Sequence, residues 1–153
     1  MANTYSQISI QIVFAVKGRE NLLRKEFRPE LFKYIAGIIE GKGQTILAVN
    51  GWQDHVHAFF GMEPSACLAD LVSAIKSNSS KWINEKGFLK NKFQWQEGYG
   101  AFSYSRSQRD TVIKYIVNQE GHHSRKTFRE EYLDMLRKAE IIFDDKYIFE
   151  FYE

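Results

Sequence analysis

The amino-acid sequence predicts an α+β fold with an antiparallel sheet. Three observations lead to this prediction: a strictly alternating apolar run near the N-terminus, two β-rich runs separated by a short polar turn, and apolar residues at helical spacing between and after these runs. The chain has 153 residues, of which 44% are hydrophobic, so it can bury one proper core. We therefore expect a single domain over residues 1–153, with its core at about 5–120.

The first elements follow from apolar spacing. Apolar side chains at every second position of residues 8–16 predict a strand that is buried on one face. Pro29 begins a segment with helical apolar spacing that ends near Gly41. Residues 44–51 and 55–62 are two β-rich runs, and the polar turn between them predicts a hairpin.

The next helix is expected to begin at Pro64 and to place Leu71 and Ile75 on its packing side. The single cysteine, Cys67, falls on the buried side of this helix and is expected to be an inert core thiol. A connection with Gly and Lys residues leads to a last strand at 101–106. The resulting order is βαββαβ, the ferredoxin-like split motif with an antiparallel sheet.

Two further helices follow this core. Ser107 is expected to cap a helix over residues 108–119, which Gly121 would end. Thr127 and Glu130 have the spacing of a capping box and predict a C-terminal helix. Because a minimal ferredoxin-like core needs neither helix, we expect the added helix at 108–119 to carry function.

Charge is distributed unevenly along the chain. Residues 1–126 carry 17 Lys and Arg against 11 Asp and Glu, whereas the C-terminal helix and acidic tail at 127–153 carry 4 against 8. A basic body suits a polyanionic partner. A lone cysteine, no apolar run near the roughly 20 residues of a membrane span, and no signal-peptide pattern lead us to expect a cytoplasmic protein.

Two of the four histidines lie two residues apart, within the run QDHVHAFF at 53–60. On a strand, His55 and His57 project from one face and Val56 and Ala58 from the other. We expect helices to cover the Val56 face and the histidine face to be the open working surface. The two rings can converge on one metal ion, although such a pair is also typical of half-exposed histidines that bond to neighbours.

Two histidines leave a metal site incomplete, so a third ligand must come from elsewhere. Tyr115 and Gln119 have i, i+4 spacing on the predicted helix and lie beside its packing stripe, where they would edge the open face. Asp54 is expected to be a turn residue, with the orientation of an imidazole as the alternative. The sequence indicates no base that would deprotonate Tyr115.

Three motifs occur in an order that resembles a known family. They are DHVH at 54–57, WQEGYGAFSYS at 95–105 and YIVNQEGHH at 115–123. Together they resemble the single-tyrosine HUH transposases of small bacterial insertion sequences, including their REP-associated relatives. Position by position, the resemblance implies that Tyr115 is the nucleophile and that His55, His57 and Gln119 are the metal ligands.

The resemblance also implies an activity and a partner. Members of this family are typically homodimers that cut and rejoin single-stranded DNA next to small hairpins, commonly with the tyrosine helix of the partner subunit completing each site. Two imidazoles and an amide oxygen would hold Mg²⁺ or Mn²⁺ and leave positions open for phosphate oxygens. Attack by Tyr115 would leave a 5′-phosphotyrosine and a free 3′-hydroxyl without ATP.

DNA contacts are expected from basic and aromatic residues. The expected phosphate partners are Lys17, Arg19, Lys76, Lys81, Lys90, Lys92, Arg106 and Arg109, and the expected stacking surfaces are among Trp95, Tyr99, Phe102 and Tyr104. His122 and His123 are expected in a solvated loop or in contact with DNA. Two alternatives stay open: a non-catalytic or domesticated single-stranded nucleic-acid-binding protein of the same fold, and a metal-dependent phosphoesterase with water as nucleophile.

Overall fold

A computed structural model describes residues 3–152 of the chain. Within them lie four strands, which are β1 (Ser9–Ala15), β2 (Thr45–Gly51), β3 (His55–Gly61) and β4 (Gly100–Tyr104). The α-helices in the same range are α1 (Arg28–Gly41), α2 (Leu68–Lys86), α3 (Arg109–Val117), α4 (Gln119–His123) and α5 (Phe128–Lys138). None of these helices combines the length and the apolar character that a membrane span requires.

The strands form one antiparallel sheet in the order β2-β3-β1-β4. The central strand β1 pairs with β3, where Val13 is opposite His57, and with β4, where Gln11 is opposite Phe102. The order of strands and helices confirms the predicted ferredoxin-like core, with the predicted hairpin formed by β2 and β3.

Helices cover both faces of the sheet. On one face, α1 and α2 enclose a core in which Phe14 of β1 and Phe60 of β3 are fully buried. On the other face, Val13 and Ala15 pack against α5 and against Phe149 from the C-terminal segment. The prediction that the first strand is buried on one face only was therefore wrong, because its odd-numbered positions are apolar where α5 packs.

The start of α2 differs from the prediction. Pro64 and Ser65 form a turn, and the helix begins at Leu68 with Cys67 as its N-cap residue. Cys67 is exposed, so the expectation of a buried core thiol was wrong. The physical reason is that the turn keeps this part of the chain outside the helix, so that the apolar stripe begins only with Leu68 and Leu71.

The predicted helix over 108–119 is divided. A short 3₁₀ helix (Arg106–Gln108) precedes α3. Ser105 forms a capping box with Gln108 at its start, in place of the expected Ser107. The helix α3 ends at Val117, because Asn50 of β2 donates its Nδ2 to the carbonyl oxygens of Ile116 and Val117, at 3.0 Å each.

Beyond this break, Gly121 lies inside α4 and does not end a helix. The Asn118 side chain occupies the space that a side chain at Gly121 would need, since its Oδ1 lies 2.5 Å from the position of a Cβ there. The predicted capping box of α5 is confirmed, since the Glu130 backbone nitrogen donates to Thr127 Oγ1 at 3.1 Å.

Candidate active site

The histidine pair lies under helices, not on an open surface. The alternation predicted for β3 is confirmed, since Val56 belongs to the α1 and α2 core and His55 lies on the other face. Both His55 and His57 are fully buried. The Phe128 ring of α5 stacks on the His55 ring with centroids 3.9 Å apart. The expected open face was therefore wrong, because α3 and α5 pack apolar side chains onto it and α4 adds the buried Gln119.

Each ring of the pair is held by an oxygen at its outer nitrogen. His55 Nδ1 lies 2.7 Å from Asp54 Oδ1, and His57 Nδ1 lies 2.7 Å from Gln11 Oε1. Asp54 lies in the bend between β2 and β3, as expected for a turn residue, and its carboxylate also has the alternative role, the orientation of an imidazole. Because β3 begins at His55, Asp54 is outside the pleated strand and its carboxylate can turn back to the ring.

Gln119 lies beside the histidine pair in the interior of the protein. Its side chain is fully buried, and its Oε1 lies 3.0 Å from His55 Nε2. Gln119 is the first residue of α4, so it does not continue the helix that carries Tyr115. Both residues nevertheless reach one carboxylate, since Tyr115 Oη and Gln119 Nε2 each donate to Glu131 Oε2.

Glu131 is the residue that sequence reasoning missed. It lies on α5, is 2% exposed, and places its Oε1 3.0 Å from His57 Nε2 and 3.2 Å from His55 Nε2. The available signal was its position next to Tyr132 on the packing side of an amphipathic helix. A carboxylate on the buried side of a helix rarely stays there without a partner. We call His55, His57, Gln119 and Glu131 the central cluster.

The ionisable groups of the central cluster shift one another's pKa values. Burial opposes the charged form of His55, but its hydrogen bonds to Asp54 and Glu131 outweigh this and raise its pKa to about 9. Burial lowers the pKa of His57. Burial also opposes ionisation of Glu131, yet the neighbouring histidines, led by His57, hold the pKa of its carboxyl far below the usual range.

The same surroundings favour the protonated form of the Tyr115 hydroxyl. Burial and then the neighbouring Glu131 carboxylate raise the pKa of the Tyr115 hydroxyl well above its usual range. A second ring lies against it, since the His122 and Tyr115 centroids are 4.3 Å apart. In this arrangement the tyrosine keeps its proton at neutral pH.

The donor set of the central cluster fits a divalent cation. One ligand atom from each of His55, His57 and Glu131 lies within 4.8 Å of the other two. The hydrogen bonds at the outer nitrogens leave both Nε2 atoms facing inward, as is usual for metal-binding histidines. Nitrogen and carboxylate ligands together are typical of transition metals, and Gln119 Oε1 adds an amide oxygen.

A cavity of about 740 Å³ leads from the surface to the tyrosine. It lies between β4, α3 and α5, and Tyr115 and Glu131 are part of its wall. Other lining side chains are Gln11, Phe102, Tyr104, Thr111, Lys126 and Met135. A volume of this size suits a small-molecule or nucleotide-sized group.

His122 and His123 do not form the expected solvated loop, because they end α4. The His123 side chain is 3% exposed, and its Nε2 lies 3.1 Å from Gln119 Oε1. The turn after the predicted helix brings this histidine back toward the central cluster instead of out into solvent.

Six of the eight basic candidates have exposed side chains or contacts outside the central cluster. Lys17, Arg19 and Arg106 are exposed. Lys76 Nζ donates to the Gln96 carbonyl oxygen at 2.9 Å, Lys81 lies 3.9 Å from Glu85, and Arg109 donates to Gln7 and Ser9. Their contact with DNA stays a prediction.

The aromatic candidates divide between core and surface. Trp95 is buried, and its Nε1 donates to Ser79 Oγ at 2.9 Å, so it fills the core. Phe102 is also buried, against α5. Tyr104 is half-buried, and its hydroxyl accepts from Gln11 Nε2 at 2.9 Å, next to the cavity. Tyr99 is 37% exposed.

Comparison with known proteins gives a consistent result. Residues 4–119 match the model of the IS200-like transposase family. The ISDra2 transposase TnpA of Deinococcus radiodurans is 25% identical over 120 residues, which cover 74% of this chain and 84% of that protein.

Two solved structures share the fold. One is the 1.90 Å crystal structure of a candidate transposase from Deinococcus radiodurans R1, with a TM-score of 0.63 and 23% identity over 78% of this chain and 95% of that chain. The other is a REP-associated tyrosine transposase bound to a REP hairpin, with a TM-score of 0.59 and 14% identity over 80% of this chain and 73% of that chain. The family match includes Tyr115 and Gln119 but ends before His123 and Glu131. The chain belongs to the IS200-like transposase family.

Proposed function

We propose that this transposase cuts and rejoins single-stranded DNA at or near hairpins, by transesterification through Tyr115. One observation carries the proposal. Within a single chain, the Tyr115 hydroxyl and the inward nitrogen of His57 both meet the carboxylate of Glu131, and Tyr115 and Glu131 line a cavity of about 740 Å³. A nucleophile beside a metal-binding donor set is what phosphodiester transesterification needs.

His55, His57 and Gln119 are the residues that would hold Mg²⁺ or Mn²⁺, with Glu131 as an additional carboxylate ligand. When bound, such an ion supplies Lewis-acid stabilisation of the charge that develops on the phosphate oxygens. The remaining outer contacts, Asp54 on His55 and Gln11 on His57, hold the rings in orientation.

The chemical step exchanges one phosphate ester for another. Tyr115 Oη forms a bond to phosphorus, and the bond from phosphorus to the 3′-oxygen of the preceding nucleotide breaks. The products are a 5′-phosphotyrosine and a free 3′-hydroxyl, and attack by a 3′-hydroxyl reverses the step to join DNA. Glu131 Oε2 accepts a hydrogen bond from Tyr115 and so orients its hydroxyl, and the proton that Tyr115 loses is balanced by the proton that the departing 3′-oxygen takes up.

Single-stranded DNA with a hairpin is the proposed substrate. The REP-associated relative of the same fold is bound to a REP hairpin, which supports this choice. The cavity along β4 suits the nucleotide next to the scissile phosphate.

A homodimer stays part of the proposal, but here α3 packs on the sheet of its own chain, so each site would be complete without the partner's tyrosine.

Covalent trapping of DNA tests the proposal. Wild type, Tyr115→Phe and the exposed control Tyr147→Phe are incubated with labelled single strands that contain short hairpins, with Mn²⁺ or with chelator. The expected result is a protein–DNA adduct on a denaturing gel that requires metal, persists in Tyr147→Phe and is lost in Tyr115→Phe.

The rival functions give different results in the same assay. Hairpin binding without any adduct would support a non-catalytic nucleic-acid-binding protein. Cleavage that survives Tyr115→Phe, with no adduct, would support a phosphoesterase that uses water. Either result would overturn the tyrosine mechanism.

A further inference from the structure

We propose that His123 is a further metal ligand, which gives this site a third histidine and a preference for Mn²⁺ over Mg²⁺. The inference rests on the metal site of the proposed function and adds to it a residue that lies beyond the family match, which ends at residue 119.

The short helix α4 aims His123 into the central cluster. Gln119 and His123 have i, i+4 spacing and therefore lie on the same side of the helix. His123 Nε2 lies 3.1 Å from Gln119 Oε1 and 3.5 Å from Glu131 Oε1. The centroids of the His123 and His55 rings are 4.8 Å apart. His123 thus shares two oxygen neighbours with His55.

A backbone carbonyl determines which nitrogen of His123 carries the proton. His123 Nδ1 lies 2.8 Å from the carbonyl oxygen of Lys126. A carbonyl oxygen only accepts hydrogen bonds, so Nδ1 must donate. In the neutral ring this leaves the Nε2 lone pair directed at the central cluster. His55 and His57 have the same arrangement, with an oxygen at the outer nitrogen and Nε2 inward.

The converging atoms need a positive charge between them. In the neutral form of the rings, which is the form that binds a metal ion, the three inward Nε2 atoms and the oxygens of Gln119 and Glu131 are all acceptors, at separations of 3.0 to 3.5 Å. Buried acceptors that face one another without a proton or a cation cost free energy. A divalent ion held by His55, His57 and Glu131 supplies that charge, and His123 Nε2 lies beside this group, 3.5 Å from Glu131 Oε1.

The third imidazole affects which ion is preferred. Mg²⁺ favours oxygen ligands and retains several waters, whereas imidazole suits transition metals. Adding His123 to His55 and His57 makes the donor set rich in nitrogen. The neighbouring His122 provides a matched control, because its ring lies against Tyr115 and its Nε2 has no hydrogen-bond partner among the described residues.

Metal binding by the full chain, without DNA, tests the assignment. Titration calorimetry would compare wild type, His123→Ala and His122→Ala with Mn²⁺ and with Mg²⁺. We expect His123→Ala to weaken Mn²⁺ binding by about tenfold or more and Mg²⁺ binding by less. His122→Ala should retain both affinities. An unchanged Mn²⁺ affinity in folded His123→Ala, or equal losses in the two variants, would overturn the assignment.

A second measurement needs no variant to fold. Pulsed electron paramagnetic resonance of Mn²⁺ bound to wild type should detect nitrogen coupling from three imidazoles. Coupling from two imidazoles would overturn the role of His123, while a metal-dependent adduct on Tyr115 would leave the proposed function standing. Failure of wild type to bind Mn²⁺ would overturn both.

Discussion

The Tyr115 hydroxyl donates a hydrogen bond to Glu131 Oε2, across 16 positions of the chain. The other oxygen of the same carboxylate lies 3.0 Å from His57 Nε2. One side chain of α5 therefore connects the proposed nucleophile with the histidine pair. The C-terminal helix, which lies beyond the family match, is part of the site.

Replacing this carboxylate should weaken the metal site. Glu131→Gln removes the negative charge that faces His55 and His57 but retains the size of the side chain. We expect Mn²⁺ affinity to fall by about tenfold or more, measured by calorimetry. The matched control is Glu130→Gln, because Glu130 is exposed and glutamine can still form the capping box. Equal affinities in the two variants would contradict a ligand role for Glu131.

The metal-free protein should lose stability as the pH rises above neutrality. The pKa of folded His55 is raised to about 9, so its contribution is fully present below the unfolded value of about 6.5 and is lost as pH rises through 9. The lowered pKa of His57 acts oppositely, since its contribution is lost as pH falls through its folded value. The combined contribution of the two rings is therefore greatest near pH ~6.5.

Asp54→Asn tests the cause of this pH dependence, because Asp54 holds His55 Nδ1. In the presence of chelator, the Tm of Asp54→Asn should change less between pH 6.5 and 9 than that of wild type. The control is the exposed Asp145→Asn, which should follow wild type. Parallel curves for Asp54→Asn and wild type would show that Asp54 does not raise the pKa of His55.

Asn50 should stabilise the end of the tyrosine helix. Its Nδ2 donates to the carbonyl oxygens of Ile116 and Val117, which have no partner within α3. Asn50→Ala should lower the free energy of unfolding by about 1–3 kcal/mol and slow adduct formation. Denaturant titration measures the free energy of unfolding, and a denaturing gel measures the rate of adduct formation. Asn78→Ala, at an exposed site on α2 with only a local bond, should have little effect.

The hairpin that presents the histidines should not tolerate a side chain at Gly51. A Cβ there would lie 2.2 Å from the His55 carbonyl oxygen, so the backbone of β2 or β3 must shift. We expect Gly51→Ala to cost about 1–3 kcal/mol of unfolding free energy and to weaken Mn²⁺ binding. Gly61→Ala, at the other end of β3, meets Thr45 Cβ at an ordinary 3.6 Å and should be tolerated. Similar losses in both variants would contradict this account.

Local patterns of the sequence determined the elements and the family. Alternation along β3 predicted that His55 and His57 share one face, and the spacing of Thr127 and Glu130 predicted the start of α5. These features depend on residues two to four positions apart, whose relative directions are set by the strand and helix periods themselves. The order of the three motifs indicated the family from the linear sequence alone.

Only the tertiary structure decided what covers the histidine face and which residues complete the site. His57 and Glu131 are 74 positions apart, and they meet because α5 packs apolar side chains onto Val13 and Ala15 of β1. The end of α3 likewise depends on Asn50, 66 positions before Ile116. Contacts of this range follow from how whole apolar faces pack together, and no local period in the chain encodes them.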